Sequence, residues 1–289
     1  MTGPTGSAVL PPDRQGSPGS LIVSFAGSYL RQIGGEIAVA DLIRCLAGVG
    51  LGDAATRQAL SRLKARGFLT PARVGGRAGY RLTEAGLADL RSGDRRIFHR
   101  PVAREDDGWV LAVFSVPESE RAQRHRLRSE LSWLGFGTVA AGVWAAPRPL
   151  ADPTRATLTA AGLDRYVTWF EARHLSPVDV GQWWDLPALR AAYDGFLAAH
   201  RDDLAQTDLT DEAAFATYLR VIDAWRVFPR IDPGLPAALL PAGWPAADAW
   251  TTFSGLHDRW ADRGLVFVRS VIGAPGRSHT AALRPGRSR

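Results

Sequence analysis

A predicted helix that runs directly into a short basic hairpin constrains the fold of this chain more than any other stretch. Residues 53–82 read DAATRQALSRLKARGFLTPARVGGRAGYRL. We expect Asp53 to cap the helix and Gly67 to end it as a C′ glycine. Two short strands then flank a turn with two adjacent glycines, Gly75 and Gly76. This order predicts a reading helix followed by a wing, as in the winged helix-turn-helix proteins that bind DNA.

The predicted helix has one apolar and one polar face. At 3.6 residues per turn, apolar side chains fall on one side and a cationic, hydrogen-bonding set falls on the other. With the hairpin, this polar set supplies the residues that we expect to contact DNA: Arg57, Gln58, Ser61, Arg62, Lys64, Arg73, Arg77 and Tyr80. A second interpretation stays open, because arginines on an exposed helix face are commonly only solvated and a two-glycine turn is often no more than a turn.

The positive charge of the chain is concentrated in the same region. The net charge is +6, and the first 100 residues carry 14 Arg or Lys against 7 Asp or Glu, an excess of seven. A basic excess around a reading helix is typical of proteins that contact phosphates, although a domain can also be basic by accident.

The remaining pattern predicts an α+β multidomain protein. Residues 20–100 are predicted to form the winged helix-turn-helix domain, beginning with a helix at Ser20 that buries one side. Residues 101–179 have the order β-α-β-β-α-β of a ferredoxin-like domain. Residues 180–270 are mainly helical, with a short strand expected at 266–268. Residues 1–19 and 271–289 are predicted to be disordered tails, because they are rich in Gly, Pro or Arg.

The predicted helix of the middle domain has a basic outer face. Arg121, Arg124, His125 and Arg128 lie on it at helical spacing. This face is either solvated and offset by Glu120 and Glu130, or it is a second surface that binds phosphate.

The sequence gives little support for an enzyme, a membrane protein or a secreted protein. No histidine pair has metal-ligand spacing, and no phosphate-binding glycine loop or nucleophile elbow occurs. No apolar run approaches the roughly 20 residues that span a bilayer. The only cysteine, Cys45, can form no internal disulfide and is expected in the core. We therefore expect a cytoplasmic protein that needs neither a metal nor a cofactor.

The chain resembles the PaaX-type repressors, which regulate phenylacetic acid degradation, from Ser20 to about Val268. The most specific string is WRVFPRIDPGLPAALLPAGWP, in which a proline-rich run follows a Trp-Arg pair. The other segments that carry the resemblance are 34–70, 113–137 and 142–147. The resemblance implies a winged helix-turn-helix domain, a middle domain of the CRISPR-adaptation endoribonuclease type and a helical C-terminal domain. It also implies a homodimer on double-stranded operator DNA, released by an aryl-acetyl-CoA, typically phenylacetyl-CoA.

A CoA effector needs cations for its phosphates and an apolar pocket for its acyl group. The candidates by composition are Trp183, Trp184, Tyr193, Trp225, Arg226 and Arg230. The other interpretation is that these aromatic residues belong to the core and that the arginines are structural.

One position departs from the family pattern. Family members often have Phe-Asp-Val-Pro where this chain has Phe114-Ser115-Val116-Pro117. A serine cannot replace a carboxylate at a divalent metal, so nuclease activity is not expected. Three alternatives to a repressor are kept: a metal-dependent nuclease built on the middle domain, an acyl-CoA-processing enzyme, and a structural DNA binder without sequence preference.

Overall fold

A computed structural model describes residues 14–98, 102–175 and 177–273 of the chain. It is a mixed α/β protein with one sheet in the N-terminal region, one in the middle region and a helical C-terminal region. Among the described residues, no helix is both long enough and apolar enough to span a membrane.

The N-terminal region combines four helices with a small antiparallel sheet. Its elements are α1 (Pro18–Ser28), β1 (Glu36–Ala38), α2 (Val39–Ala47), α3 (Asp53–Ala65), β2 (Leu69–Val74), β3 (Arg77–Leu82) and α4 (Glu84–Phe98). The strand order is β1-β3-β2. Gly75 and Gly76 close the β2–β3 hairpin with φ values of 55° and 77°, as a two-residue type I′ turn requires.

The middle region is a four-stranded antiparallel sheet with two helices on one face. Its elements are β4 (Trp109–Phe114), α5 (Arg121–Trp133), β5 (Gly137–Ala140), β6 (Val143–Pro147), α6 (Ala151–Ala160) and β7 (Val167–Ala172). The order β-α-β-β-α-β along the chain is the one predicted, and the strands lie in the order β5-β6-β4-β7. Leu127 and Leu131 of α5 and Leu158 of α6 are fully buried against the sheet.

The C-terminal region contains α7 (Leu186–Ala205), α8 (Asp211–Trp225), α9 (Phe228–Ile231) and α10 (Ala246–Gly273). The strand predicted at 266–268 is wrong, because α10 continues through it. Trp260, Gly264 and Val268 are buried at helical spacing along α10. The packing of these buried residues therefore outweighs the local preference of valine and phenylalanine for strands.

Helix α1 lies in the middle of a core that the N-terminal and C-terminal regions share. Every residue from Gly19 to Ala26 is buried, so the prediction that only one side is buried is wrong. The helix packs against α3 and α8. The rings of Phe25 and of Tyr29, the residue that follows the helix, lie 6.2 and 5.2 Å from the Phe215 ring of α8. The predicted domain boundaries remain predictions, but the two regions form one continuous hydrophobic cluster.

The chain is ordered earlier than predicted. Ser17 caps α1 by accepting a hydrogen bond from the Ser20 amide, and the Gly16 amide donates to Asp223 at 2.8 Å. The predicted tail at 1–19 is therefore wrong for residues 16–19, and residues 271–273 belong to α10. Residues 1–13 and 274–289 lie outside the described residues.

Candidate nucleic-acid interface and adjoining cleft

Helix α3 presents a polar face because its apolar face is held in the core. Thr56, Ala59, Leu60 and Leu63 are buried. The residues predicted for DNA contact on this helix are all exposed: Arg57, Gln58, Ser61, Arg62 and Lys64. Gly67, with φ of 76°, then turns the chain directly into the hairpin. The structure thus brings the predicted helix contacts together on one accessible face, next to the hairpin in the chain.

The start of α3 differs from the prediction by one residue. Gly52, not Asp53, is the N-cap, and its carbonyl accepts a hydrogen bond from Thr56 Oγ1 at 2.9 Å. Asp53 lies in the first turn, where a carboxylate is favoured by the helix dipole. It also accepts a hydrogen bond from Arg57 Nε at 2.5 Å. Because both side chains of this pair are more than half exposed, the pair contributes less than about 1 kcal/mol and leaves Arg57 accessible.

The two hairpin arginines differ in their surroundings. Arg73 is exposed, and its Nη1 donates to the Gly76 carbonyl at 2.8 Å across the turn. Arg77 donates through both terminal nitrogens to Asp41 of α2, at 2.8 and 2.5 Å. Its side chain stays 43% exposed. Arg77 therefore fixes the hairpin to α2 and still has a surface toward solvent.

Asp41 is a buried carboxylate that joins three elements. Its side chain is 1% exposed, and it also accepts a hydrogen bond from Arg44 at 2.6 Å. Arg44 in turn donates to the Val271 carbonyl of α10 at 2.8 Å. Burial by itself would raise the pKa of Asp41, but the hydrogen bonds from Arg77 and Arg44 outweigh it and hold the pKa below its usual value.

Close backbone packing also positions the hairpin. A Cβ on Gly79 of β3 would lie 2.6 Å from the Ile37 carbonyl oxygen and 2.8 Å from Val74 Cγ2. Tyr80 follows it, pairs with Ile37 in the β1–β3 register and is half-buried against the core. Part of the Tyr80 ring is thus committed to packing, a detail that the sequence pattern did not reveal.

Two of the predicted effector residues lie in the core. Tyr193 is fully buried, stacks on Phe228 at 4.2 Å and donates to Asp232 at 2.5 Å. Trp225 is 1% exposed, stacks on Phe253 at 4.6 Å and donates to the Ile97 carbonyl at 3.2 Å. Their positions favour the structural interpretation for both residues.

The other four predicted effector residues line one large cleft. This cleft, called the outer cleft, has a volume of about 1160 Å³ and lies between α5 and the C-terminal region. Trp183, Trp184, Arg226 and Arg230 are in its walls. The basic face of α5 lines it as well, with Arg121, Arg124, His125 and Arg128. Sequence analysis had treated these two groups separately, because nothing in the spacing indicated that they face each other.

A second cavity adjoins the outer cleft. This inner cavity of about 360 Å³ lies among α1, α4, α8 and α10. Trp133, Arg226 and Arg230 line both spaces. The Arg230 guanidinium lies 4.1 Å from the centre of the Trp133 ring, in a cation–π contact at the boundary. No local sequence pattern indicates this cavity, since its walls come from segments far apart in the chain.

Three family models match the chain in sequence order. They are the PaaX-like protein over residues 17–86, the PaaX protein central Cas2-like domain over residues 102–182 and the PaaX-like protein C-terminal domain over residues 184–270. The transcriptional repressor PaaX of Escherichia coli (strain K12) is 32% identical over 264 residues, which cover 86% of this chain and 82% of the relative. The chain belongs to the PaaX family. The resemblance predicted from the sequence is thereby confirmed.

A solved structure extends the PaaX-family comparison to the fold. The uncharacterized protein Rv0674 from Mycobacterium tuberculosis matches with a TM-score of 0.58 at 27% identity, over 87% of this chain and 97% of that one. In this PaaX-family chain, Ser115 follows β4, and its amide donates to the Tyr166 carbonyl at 3.3 Å. Among the described residues, no group of three or more His, Cys, Asp or Glu side chains is placed to hold a metal ion.

Proposed function

We propose that this PaaX-family protein is a sequence-specific DNA-binding repressor that reads its operator with α3. The observation that carries the proposal is the exposed polar face of α3, followed at once by a basic hairpin. A helix of this kind fits the major groove, while the hairpin reaches the neighbouring backbone. We propose accordingly that the N-terminal region is a winged helix-turn-helix, with β2 and β3 as its wing. A repressor of this kind acts in the cytoplasm.

The proposed contacts divide into base-reading and backbone-positioning groups. Arg57 is suited to pair with guanine and Gln58 with adenine, each contributing roughly 1–3 kcal/mol of discrimination. Ser61, Arg62 and Lys64 extend the same face toward bases and phosphates. Arg73 at the hairpin tip contacts the backbone or the minor groove. Arg77 contributes chiefly by holding the wing on α2, and the exposed part of Tyr80 lies beside it.

A homodimer is the proposed DNA-bound form. Two reading helices related by a two-fold axis then meet a palindromic operator one or two helical turns apart, with about 34 Å per turn. The middle region is proposed to be a ferredoxin-like scaffold. Ser115 supports the proposal of a scaffold, because it occupies a position where a metal-binding carboxylate is common in the family.

The proposed effector is an acyl-CoA, with phenylacetyl-CoA as the first candidate. The outer cleft supports this assignment, because it combines basic side chains for phosphates with tryptophans for an adenine ring. Release of DNA then requires a different effector affinity in the DNA-bound and released forms, typically about 1–3 kcal/mol.

Binding to the protein's own upstream DNA and to a scrambled duplex, with and without phenylacetyl-CoA, tests the proposal. We expect preferential binding to the upstream duplex and loss of that binding with the thioester. Gln58→Ala should reduce the preference for the upstream duplex. Arg73→Ala should weaken binding to both duplexes alike and lower the slope of log affinity against log salt concentration by about one. Arg155→Gln, an exposed arginine on α6, is the control and should change neither quantity.

The alternatives give different results in the same experiment. Equal binding to both duplexes would favour a structural DNA-binding protein over a sequence-specific repressor. Cleavage of either duplex with Mg²⁺ would favour a nuclease, and loss of the thioester without DNA would favour an acyl-CoA-processing enzyme.

A further inference from the structure

The two cavities are arranged as two compartments of one ligand site. They meet at the Trp133–Arg230 contact, and Arg226 lines both of them. We propose that the outer cleft holds the phosphate-bearing part of the effector and that the inner cavity holds its apolar acyl group. The inference rests on the proposed function and adds to it the place where the acyl group is recognised.

The outer cleft has the chemistry of a site for an organic polyphosphate. Among the described residues, five arginines and His125 line it, together with two aspartates. One of these, Asp223, forms an ion pair with Arg226 at 3.6 Å. Arg124 also has an acidic partner, Glu118, at 2.8 Å. The lining keeps an excess of positive charge once these ion pairs are counted, so it favours a ligand with several phosphate charges.

The same cleft offers flat aromatic surfaces. Trp183 and Trp184, both half-buried, are in its walls, and the Trp184 indole is fixed by donating to the Gly135 carbonyl at 3.1 Å. Fixed indole rings beside arginines are typical of sites that stack a purine while its phosphates are neutralised. Both features belong to a nucleotide-like ligand rather than to an inorganic anion.

The inner cavity is smaller, and apolar side chains form a large part of its wall. Val23 of α1, Leu90, Ile97 and Phe98 of α4, and Ile222 of α8 line it. Several of its polar groups have partners in the structure: Arg31 pairs with Asp94 at 2.5 Å, and Tyr218 pairs with His257 at 2.7 Å. Arg96 donates to the Pro229 carbonyl at 3.0 Å. Its volume of about 360 Å³ is within the range of small-molecule sites and suits an aromatic ring.

The position of the inner cavity connects it to the DNA-reading region. Its α1 wall packs directly on α3, and its α4 wall follows the hairpin in the chain. At the boundary, Arg226 donates to the Ser20 carbonyl at 3.1 Å and to Ser24 Oγ at 2.9 Å, both on α1. An acyl group in the inner cavity therefore touches the helix on which α3 rests, whereas CoA without an acyl group reaches only the outer cleft.

Binding of phenylacetyl-CoA, acetyl-CoA and free CoA to the full chain without DNA tests the inference by calorimetry. Gly93→Leu fills the inner cavity from α4, where a Cβ meets only Ile97 Cδ1 at 3.9 Å among the described residues. The substitution also favours the helix, so folding should be retained. Ala261→Leu fills the cavity from α10 as an independent variant. Gly195→Leu, on the exposed face of α7 with open space around it, is the matched control.

We expect each filling variant to weaken the binding of phenylacetyl-CoA by at least about tenfold and the binding of free CoA by less than about twofold. The double substitution Arg121→Gln and Arg128→Gln removes two positive charges from the outer cleft. It should weaken the binding of all three ligands by similar factors, and more strongly at low salt. Gly195→Leu should bind all three like the wild-type protein.

Unchanged phenylacetyl-CoA affinity in both filling variants would overturn the inference. The proposed function would still stand if phenylacetyl-CoA released those variants from the operator. Failure of the wild-type protein to bind any of the three ligands would instead overturn both the inference and the proposed effector class.

Discussion

At the residue scale, Asp41 shows how a buried charge positions the proposed DNA contacts. Its carboxylate is almost completely buried, while both of its arginine partners keep about two-fifths of their side chains exposed. A buried carboxylate is stable only when its lone pairs are used, and here Arg44 and Arg77 use them. Arg77 consequently contributes more by holding the hairpin in place through its pair with Asp41 than through the exposed part of its own side chain.

Asp41→Asn should lower the free energy of unfolding by about 1–3 kcal/mol, because a neutral amide cannot replace a carboxylate that accepts three charge-assisted hydrogen bonds. Urea unfolding at pH 7 measures the change. Asp53→Asn, which removes the exposed pair with Arg57, is the control and should change stability by less than about 1 kcal/mol. Equal losses in both variants would contradict the role assigned to Asp41.

The contribution of Asp41 should also depend on pH. Its pKa is lower in the folded protein than in the unfolded chain, so its contribution is complete above the unfolded value of about 3.9. It is lost as the pH falls through the folded value. The stability difference between wild type and Asp41→Asn should therefore be constant from pH 7 to 5 and narrow below about pH 4. A difference that stays constant to pH 2 would exclude this linkage.

Sequence reasoning reached only some of these residues. The exposed face of α3 was predictable, because helical spacing alone separates it from the buried Ala59, Leu60 and Leu63. The pairing of Arg77 with Asp41 was not, because it joins residues 36 positions apart through tertiary packing. Composition likewise selected Trp225 for a ligand site without indicating that its ring is enclosed by the core.

At the element scale, the hairpin is held by its fit against β1. Gly79 is buried where the backbones of β1 and β3 approach closely, and the atoms that a Cβ would meet include a carbonyl oxygen that cannot move alone. The two positive-φ glycines at the tip fix the turn, and Gly79 fixes the position of the hairpin on the sheet.

Gly79→Ala should lower stability by about 1–3 kcal/mol and weaken operator binding, because β3 must shift away from β1. Thermal unfolding and a DNA titration measure the two effects. Gly195→Ala in α7 is the matched control, and it should raise stability by roughly 0.5–1 kcal/mol through helix propensity. Wild-type stability and binding in Gly79→Ala would show that the sheet tolerates the added methyl group.

Most elements were predictable because their hydrophobic periods are clear. The β-α-β-β-α-β order of the middle region follows from one continuous apolar strand and two amphipathic helices. The failures were at α1 and at the end of α10, where local pattern and tertiary packing disagree. Nothing local shows that α1 is covered on all sides, since the covering helix α8 comes almost 200 residues later in the chain.

At the scale of the whole molecule, the shared core makes the proposed DNA-reading region depend on the C-terminal helices. Phe215 of α8 is fully buried and contacts both Phe25 and Tyr29 of α1. The middle region has its own cluster around Leu127, Leu131 and Leu158. We therefore expect two cooperative units, one formed by both ends of the chain and one formed by the middle region.

Phe215→Ala should lower the free energy of unfolding by about 3–5 kcal/mol. It should also reduce operator binding, although Phe215 is not on the proposed DNA-reading face. Hydrogen exchange should show faster exchange in α1 and α3 together with α8 and α10, while β4 and β6 keep their protection. Leu158→Ala is the complementary variant and should loosen only the middle region. Faster exchange confined to α8 and α10 in Phe215→Ala would contradict a shared unit.

The central position of α1 also has a consequence for how the protein is made. The hydrogen bond between Ser20 and Asp223 joins residues 203 positions apart. At roughly 5–20 residues per second, translation brings the second partner out of the ribosome about 10–40 s after the first. During that interval the nascent chain carries the reading helix without the support beneath it. We therefore expect prematurely terminated chains, which lack α8, to bind the operator more weakly than completed copies.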